Sequence, residues 1–163
     1  MEWAIHCCAL LAVLPSDVTL PAARLAEFHE VAPAYLAKHL QALREAGIVK
    51  AAAGRHGGYR LARPPDQITL LEVALAVEGR ERAFRCTEIR RCGPSGVDPS
   101  LYVEPCGIAS AMHEAEDAWR AVLRERTVAD IVVHTIQTAP PETLQKGAAW
   151  IQSIARPKQR STS

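Results

Sequence analysis

The chain has 163 residues, a formal net charge of +1, and 48% hydrophobic but only 5% aromatic residues, which suits one modest, mostly helical domain with an appendage rather than a β-sandwich. Near-neutral charge means that a nucleic-acid function must rest on local charge, and no apolar run approaches the roughly 20 residues of a membrane span. Five cysteines, two of them adjacent (Cys7 and Cys8), make a poor disulfide framework. Met1–Leu14 lacks the basic start of a signal peptide, so a cytoplasmic protein is expected, in which cysteines serve metal or redox roles.

Met1–Leu14 reads as a helix with polar residues at its N-terminal end, stopped at Pro15. Pro21 opens a second, "PAARLAEFHE", with Leu25 and Phe28 at helical spacing. A third, "VAPAYLAKHLQALREAGIVK", aligns Leu36, Leu40 and Leu43 on one stripe, leaves Tyr35, Lys38 and His39 off it, and is capped by Gly47. Two short helices with a tight connection have the form of a helix-turn-helix, although helical hairpins without DNA function share it. Next, "IVKAAAG" and "GGYRLA" read as two strands reversing around Gly54–Gly58, with Arg55 and His56 at the tip. A basic hairpin after the helix pair makes a winged helix. Glycine serves there because a tight reversal needs positive φ and because backbone amides must approach a phosphate unobstructed.

After Pro64 and Pro65, "QITLLEVALAVEG" predicts a fourth helix with Leu71 and Leu75 inward. Composition then shifts: residues 84–105 hold three prolines, two glycines, Cys86 and Cys92, and read as an irregular loop ending at Cys106. Residues 107–136 predict one long helix with Ile108, Met112, Ala115, Trp119 and Leu123 on an apolar side that seeks a partner. Beyond it, a short helix at Ala148–Ile154 and a disordered remainder are expected.

Glu2 and His6 lie four apart, on one face of the first helix; taken alone, such a pair is more often a solvated helix edge. Thiols in a Pro/Gly loop are reactive unless bound. Cys7 and Cys8 read as small core residues, and His29, His113 and His134 as ordinary surface or interface histidines. No base, orienting group and oxyanion arrangement surrounds the thiols, so no enzyme is expected. For DNA contact, Lys38, Arg55 and Arg60 suit phosphates, Tyr35 and His39 suit base edges or sugar, and His56 belongs to the wing.

The order of elements, with "GRHGGYRLARPPDQITLLEVALAVEG" preceded by "YLAKHLQALREAGIV" and followed by the cysteine loop, resembles the IscR and NsrR type (Rrf family) of bacterial winged-helix regulators over nearly all of residues 1–136. "EWAIHCC" with "CTEI" is most similar to the redox-sensing, RsrR-like members. The resemblance implies a mainly α fold with a small β-hairpin wing and a homodimer crossed over through the long C-terminal helix. It also implies binding to a double-stranded DNA operator and, as in many members, an iron–sulfur cluster in the cysteine loop. The expected divisions are a winged helix-turn-helix domain at 1–80, a cluster loop at 81–106, a dimerisation helix at 107–136 and a partly disordered extension at 137–163.

Cys86 and Cys92, with five residues between them, match the first two loop cysteines of that family, and Cys106 matches the third. Two departures stand out: 13 residues separate Cys92 from Cys106, more than in IscR and NsrR, and Ala109 stands where IscR has its ligand histidine. Glu2 occupies the place of the aspartate that NsrR contributes across the dimer, and Glu2 with His6 matches the pair shared by RsrR-like proteins. Nitrogen or oxygen donors can replace sulfur on one iron. The expectation is a 2Fe-2S cluster held by Glu2 and His6 of one subunit and two cysteines of the other, Cys106 with Cys92 or Cys86. Trp3 is then a candidate mover that reports the cluster's charge, the plain alternative being an aromatic that simply packs. The expected function is a redox-controlled repressor; a winged-helix repressor with structural zinc or no metal, or a protein-interaction module, competes with it.

Overall fold

A computed structural model describes residues 1–15, 17–54, 57–94 and 96–155. Arg55, His56 and the basic tail therefore lie outside the described residues. The first helix, α1 (Glu2–Ala12), is central: Ala4, Cys7, Cys8, Leu10 and Leu11 are all buried. After Pro21, whose ring fixes an angle compatible with helix entry, comes α2 (Ala22–Phe28). A short turn leads into α3 (Pro33–Glu45). Its stripe of Leu36, Leu40 and Leu43 has 0% exposure, as an amphipathic helix requires. Gly47, at φ +69°, ends it; its N–H and that of Ile48 donate to the carbonyls of Arg44 and Leu43, turning the chain into the first strand.

The strands β1 (Val49–Ala52) and β2 (Gly58–Leu61) pair antiparallel, with Val49 opposite Leu61 and Lys50 opposite Arg60. Leu20, between α1 and α2, joins them as an isolated bridge to Tyr59, with reciprocal N–H···O bonds of 2.9 and 2.8 Å. Here the glycine pair has a structural purpose: a Cβ on Gly58 would lie 2.4 Å from the Leu20 carbonyl carbon. The chain reversal falls to Gly54, at φ +103°.

Thr69 starts α4 (Leu70–Glu78) with a capping box, its side chain accepting from the Glu72 N–H while the Glu72 carboxylate accepts from the Thr69 N–H. Leu71, Val73 and Ala74 are buried on its inner face. The loop that follows is irregular apart from 3-10 turns at Ile89–Arg91 and Pro99–Leu101.

The stretch expected as one long helix is two. The longer, α5 (Gly107–Glu125), stops where Arg126 and Thr127 become extended, and α6 (Val128–Thr138) starts from a capping box of Thr127 and Asp130. The extended pair is held by a backbone bridge: the Leu70 N–H donates to the Arg126 carbonyl at 2.8 Å and the Val128 N–H to the Ile68 carbonyl at 2.9 Å. Beyond that elbow Val128 is fully buried, and α6 packs on α1. The last segment exceeds the short helix expected at 148–154: α7 runs Pro141–Ala155. Trp150, Ile151 and Ile154 pack against the core, and the Trp150 ring lies 4.7 Å from that of Phe28. No described helix is long and apolar enough to cross a membrane.

Candidate functional site

Buried leucines fix the rotation of α3, which leaves Tyr35 and Lys38 exposed and His39 half-buried at its rim. The rings of Tyr35 and His39 lie 4.9 Å apart, and His39 Nδ1 donates to the Tyr35 carbonyl at 3.3 Å, which orients the imidazole. Exposed Arg60 stands on β2. Its cross-strand partner, the exposed Lys50, was missed in the sequence. Like charges directly opposite each other weaken a strand pair, so this position suits an anion; only the pairing register reveals it.

Glu2 and His6 stand exposed on the outer edge of α1, beside half-buried Trp3. The ring of His29, at the end of α2, lies 6.1 Å from Trp3 and 5.7 Å from His6, so His29 is not the isolated histidine its spacing suggested. Burial, reinforced by His6, holds its imidazole below the usual histidine range. Its Nε2 is buried without a hydrogen-bond partner among the described residues, a costly state for a polar atom.

Cys86 and Cys92 are exposed and Cys106 is half-buried. Cys106 is the N-cap of α5, its Sγ accepting from the Ala109 N–H at 3.4 Å, at a helix end that favours negative charge. Cys86 Sγ accepts from the Glu88 N–H at 3.4 Å. A shallow pocket of about 250 Å³ is lined by Cys86, Glu88, Tyr102, Glu104, Ala109 and His113. His113, expected to be ordinary, thus faces the loop, with its ring 5.9 Å from that of Phe84. Cys7 and Cys8 are core residues as expected, and burial pushes the Cys7 thiol up to about 12.

A family model described as Rrf2, iron-dependent transcriptional regulator, matches residues 1–134. The chain belongs to the Rrf2 family. It is 30% identical over 134 residues to YwgB of Bacillus subtilis, covering 81% of each chain. It is 26% identical over 133 residues to the HTH-type transcriptional regulator NsrR of Shouchella clausii, covering 82% of this chain and 85% of that one. In three dimensions it is similar to T. potens IscR, with a TM-score of 0.63 and 21% identity over 88% of this chain and 91% of that one. As an Rrf2 regulator the protein has a non-enzymatic, DNA-binding role in transcription.

In this Rrf2 protein the family match ends within α6, and α7 lies beyond it. The α5 helix has two faces. Its inner side is clasped by the preceding linker: Arg82 donates to Asp117 at 2.8 Å and the Ala83 N–H to Glu116 at 3.1 Å. Leu123, expected on the apolar stripe, turns inward and packs on the core. The outer stripe is Ile108, Met112, Ala115, Trp119 and Val122, with Ile108 68% and Trp119 42% exposed. Steps of four, three, four and three residues are those of a coiled-coil seam. Met112, Ala115 and Trp119 also border an open groove of about 730 Å³ between α5 and the end of α4.

Proposed function

We propose that this Rrf2 protein is a cytoplasmic homodimeric repressor that binds a double-stranded operator, and that its hold on DNA follows the redox state of a 2Fe-2S cluster shared between subunits. The division of donors carries the reading. Glu2 and His6 occupy the edge of α1, whereas Cys86, Cys92 and Cys106 belong to the loop before α5, and no three donors suited to a metal ion meet within one chain among the described residues. A site shared between two chains would let both groups serve one cluster. The donor types fit such a cluster, thiolates serving one iron and imidazole with carboxylate the other. The unpartnered Nε2 of His29 beside His6 also suits a polar group arriving at α1 from outside the chain.

Glu2 and His6 would hold the cluster on one side, and Cys106 with a second loop cysteine on the other. When bound, the cluster supplies one-electron chemistry and a change of charge beside α1. A run of rings leads from there to the end of α2 and on to α7. Trp3 meets His6 at 6.2 Å and His29 at 6.1 Å, His29 meets Phe28 at 5.1 Å, and Phe28 meets Trp150 at 4.7 Å. A displaced Trp3 presses on the end of α2, which positions α3, and close-packed contacts pass such a shift on as a discrete rearrangement. Lys38, Arg60 and Arg55 neutralise phosphates, His56 adds a wing contact, and Tyr35 and His39 read base edges or sugar. The α5 stripe is the seam between subunits, since an exposed apolar face of that length is a partner surface.

The deciding experiment is anaerobic purification followed by visible spectroscopy, iron and sulfide analysis, and operator binding in both redox states. The expected result is about two irons and two sulfides per subunit, an absorption that bleaches reversibly on reduction, and a change in operator affinity with it. A colourless protein containing zinc, or one that takes no cluster on reconstitution, overturns the reading.

A further inference from the structure

The cysteine loop is long, so the separation of its thiols has to be set by something other than chain connectivity. One side chain spans it. Arg90 grips the Glu88 carboxylate through both Nε and Nη2, and Nη2 also donates to the Glu104 carbonyl at 2.9 Å. Its guanidinium lies over the Tyr102 ring, 4.8 Å from the centroid. Tyr102 returns the contact, its hydroxyl donating to the Arg90 carbonyl at 2.7 Å. The Val97 N–H donates to the same hydroxyl, which gathers the inserted part of the loop.

The register of these contacts is regular. Glu88 lies two residues after Cys86, and Glu104 two residues before Cys106. Glu88 adopts a left-handed backbone, φ +52°, a conformation that non-glycine residues hold only when their surroundings enforce it. That turn aims its N–H at Cys86 Sγ. Cys86 shares its pocket with Pro105 and Ala109, the residues flanking Cys106 and its hydrogen-bond donor. Cys92 does not line that pocket.

We propose that Arg90 is a positioning residue that sets Cys86 against Cys106 across the loop. The inference rests on the loop's role in the proposed function and deepens it. Arginine is required because only its planar fork engages a carboxylate with two donors while a third bond reaches the carbonyl.

The test uses the full-length, reduced, metal-free chain and phenylarsine oxide, which bridges two thiols within its reach, with the bridged pair identified by mass spectrometry. In the wild type and in Cys92→Ala, Cys86 and Cys106 are bridged. In Arg90→Gln and Arg90→Lys the bridging rate falls about tenfold or more, as when a partner that orients ligands is removed, while the thermal midpoint stays that of the wild type. Glu88→Gln, which takes away the anchor, lowers the rate in the same direction, and combining it with Arg90→Gln adds little, as expected of two residues in one contact. Bridging through Cys92, or an unchanged rate in Arg90→Gln, overturns the proposal. Iron is not needed for this readout, so a wild type that fails to take a cluster sinks the redox reading without obscuring the result.

Discussion

Thr69 and Thr127 pair across an isolated antiparallel bridge, and each is also the N-cap of the helix that follows it. The two capping boxes repeat the same geometry. The Thr69 N–H donates to Glu72 at 2.9 Å and the Thr127 N–H to Asp130 at 2.8 Å. Each hydroxyl oxygen accepts from the N–H three residues on, at 3.2 Å in both. The starts of α4 and α6 are thereby tied together at the point where α5 ends. Thr127→Ala is expected to cost about 1 kcal/mol, a fall of about 2–4 °C in thermal midpoint for a chain of this size, with Thr127→Ser restoring most of it. A midpoint unchanged by the alanine would show that the elbow holds without its cap.

Glu72 adds a pH dependence to the same joint. Burial pushes its carboxyl up, but hydrogen bonds from Thr69 and the Arg63 guanidinium prevail and hold it below the ordinary 4.5. A folded-state value below the unfolded one gives stability that is present above pH 4.5 and lost as pH falls through the folded value. Glu72→Gln is expected to lower the unfolding midpoint at neutral pH and to narrow its deficit below pH 4.5. Curves that stay parallel to the wild type across that range would contradict the assignment.

Lys50 and Arg60 face one another on the wing, and their effects on stability and binding are expected to oppose. Lys50→Ala should leave the thermal midpoint unchanged or slightly raised, because a like-charge pair is relieved. The same variant should weaken binding to every duplex and reduce the salt slope by about one. Fluorescence anisotropy over a range of salt concentrations measures both. A loss confined to the operator would assign base reading to this position instead.

Met112 and Trp119 lie in the middle of the exposed α5 stripe. Trp119→Glu is expected to yield a monomer in analytical ultracentrifugation while keeping the helical content of the wild type, and operator affinity should collapse with the dimer because two half-sites no longer act together. A dimeric Trp119→Glu protein would move the interface elsewhere.

Sharing of the metal site can be tested by complementation. His6→Ala and Cys106→Ala homodimers should both be colourless. A mixed dimer of the two carries both lesions in one site and leaves the other intact, so visible absorption returns to half the wild-type value per dimer. Ligands drawn from a single chain would leave every site in the mixed dimer defective and colourless.

The third helix and the hairpin were legible because local chemistry determines them. Leu36, Leu40 and Leu43 recur at helical spacing, and Gly47 and Gly54 stand where the backbone must turn. The elbow at Thr127 was hidden by a continuing apolar period: Val128 and Ile131 extend the helical pattern across a break whose only local sign is the Thr127-x-x-Asp130 capping box. His29 and Trp3 are far apart in the chain and meet only through the packing of α1 on α2, so spacing carried no trace of their contact. Nothing in the sequence singles out Arg90. Its grip on Glu88 and Glu104 depends on a loop path that periodicity does not describe.

Burial of Cys7 and Cys8 divides the chain's five thiols into two chemical populations. Burial carries the Cys7 thiol to about 12 and, joined by Cys7 itself, pushes that of Cys8 higher still, which leaves almost no thiolate to react at neutral pH. Thiol-directed electrophiles therefore meet a protein whose core thiols are spectators and whose accessible thiols, Cys86, Cys92 and Cys106, lie in the loop that ends at the start of α5. Thiol modification therefore falls on the loop and leaves the packing around α1 untouched, so a chain alkylated at its accessible cysteines is expected to keep its shape.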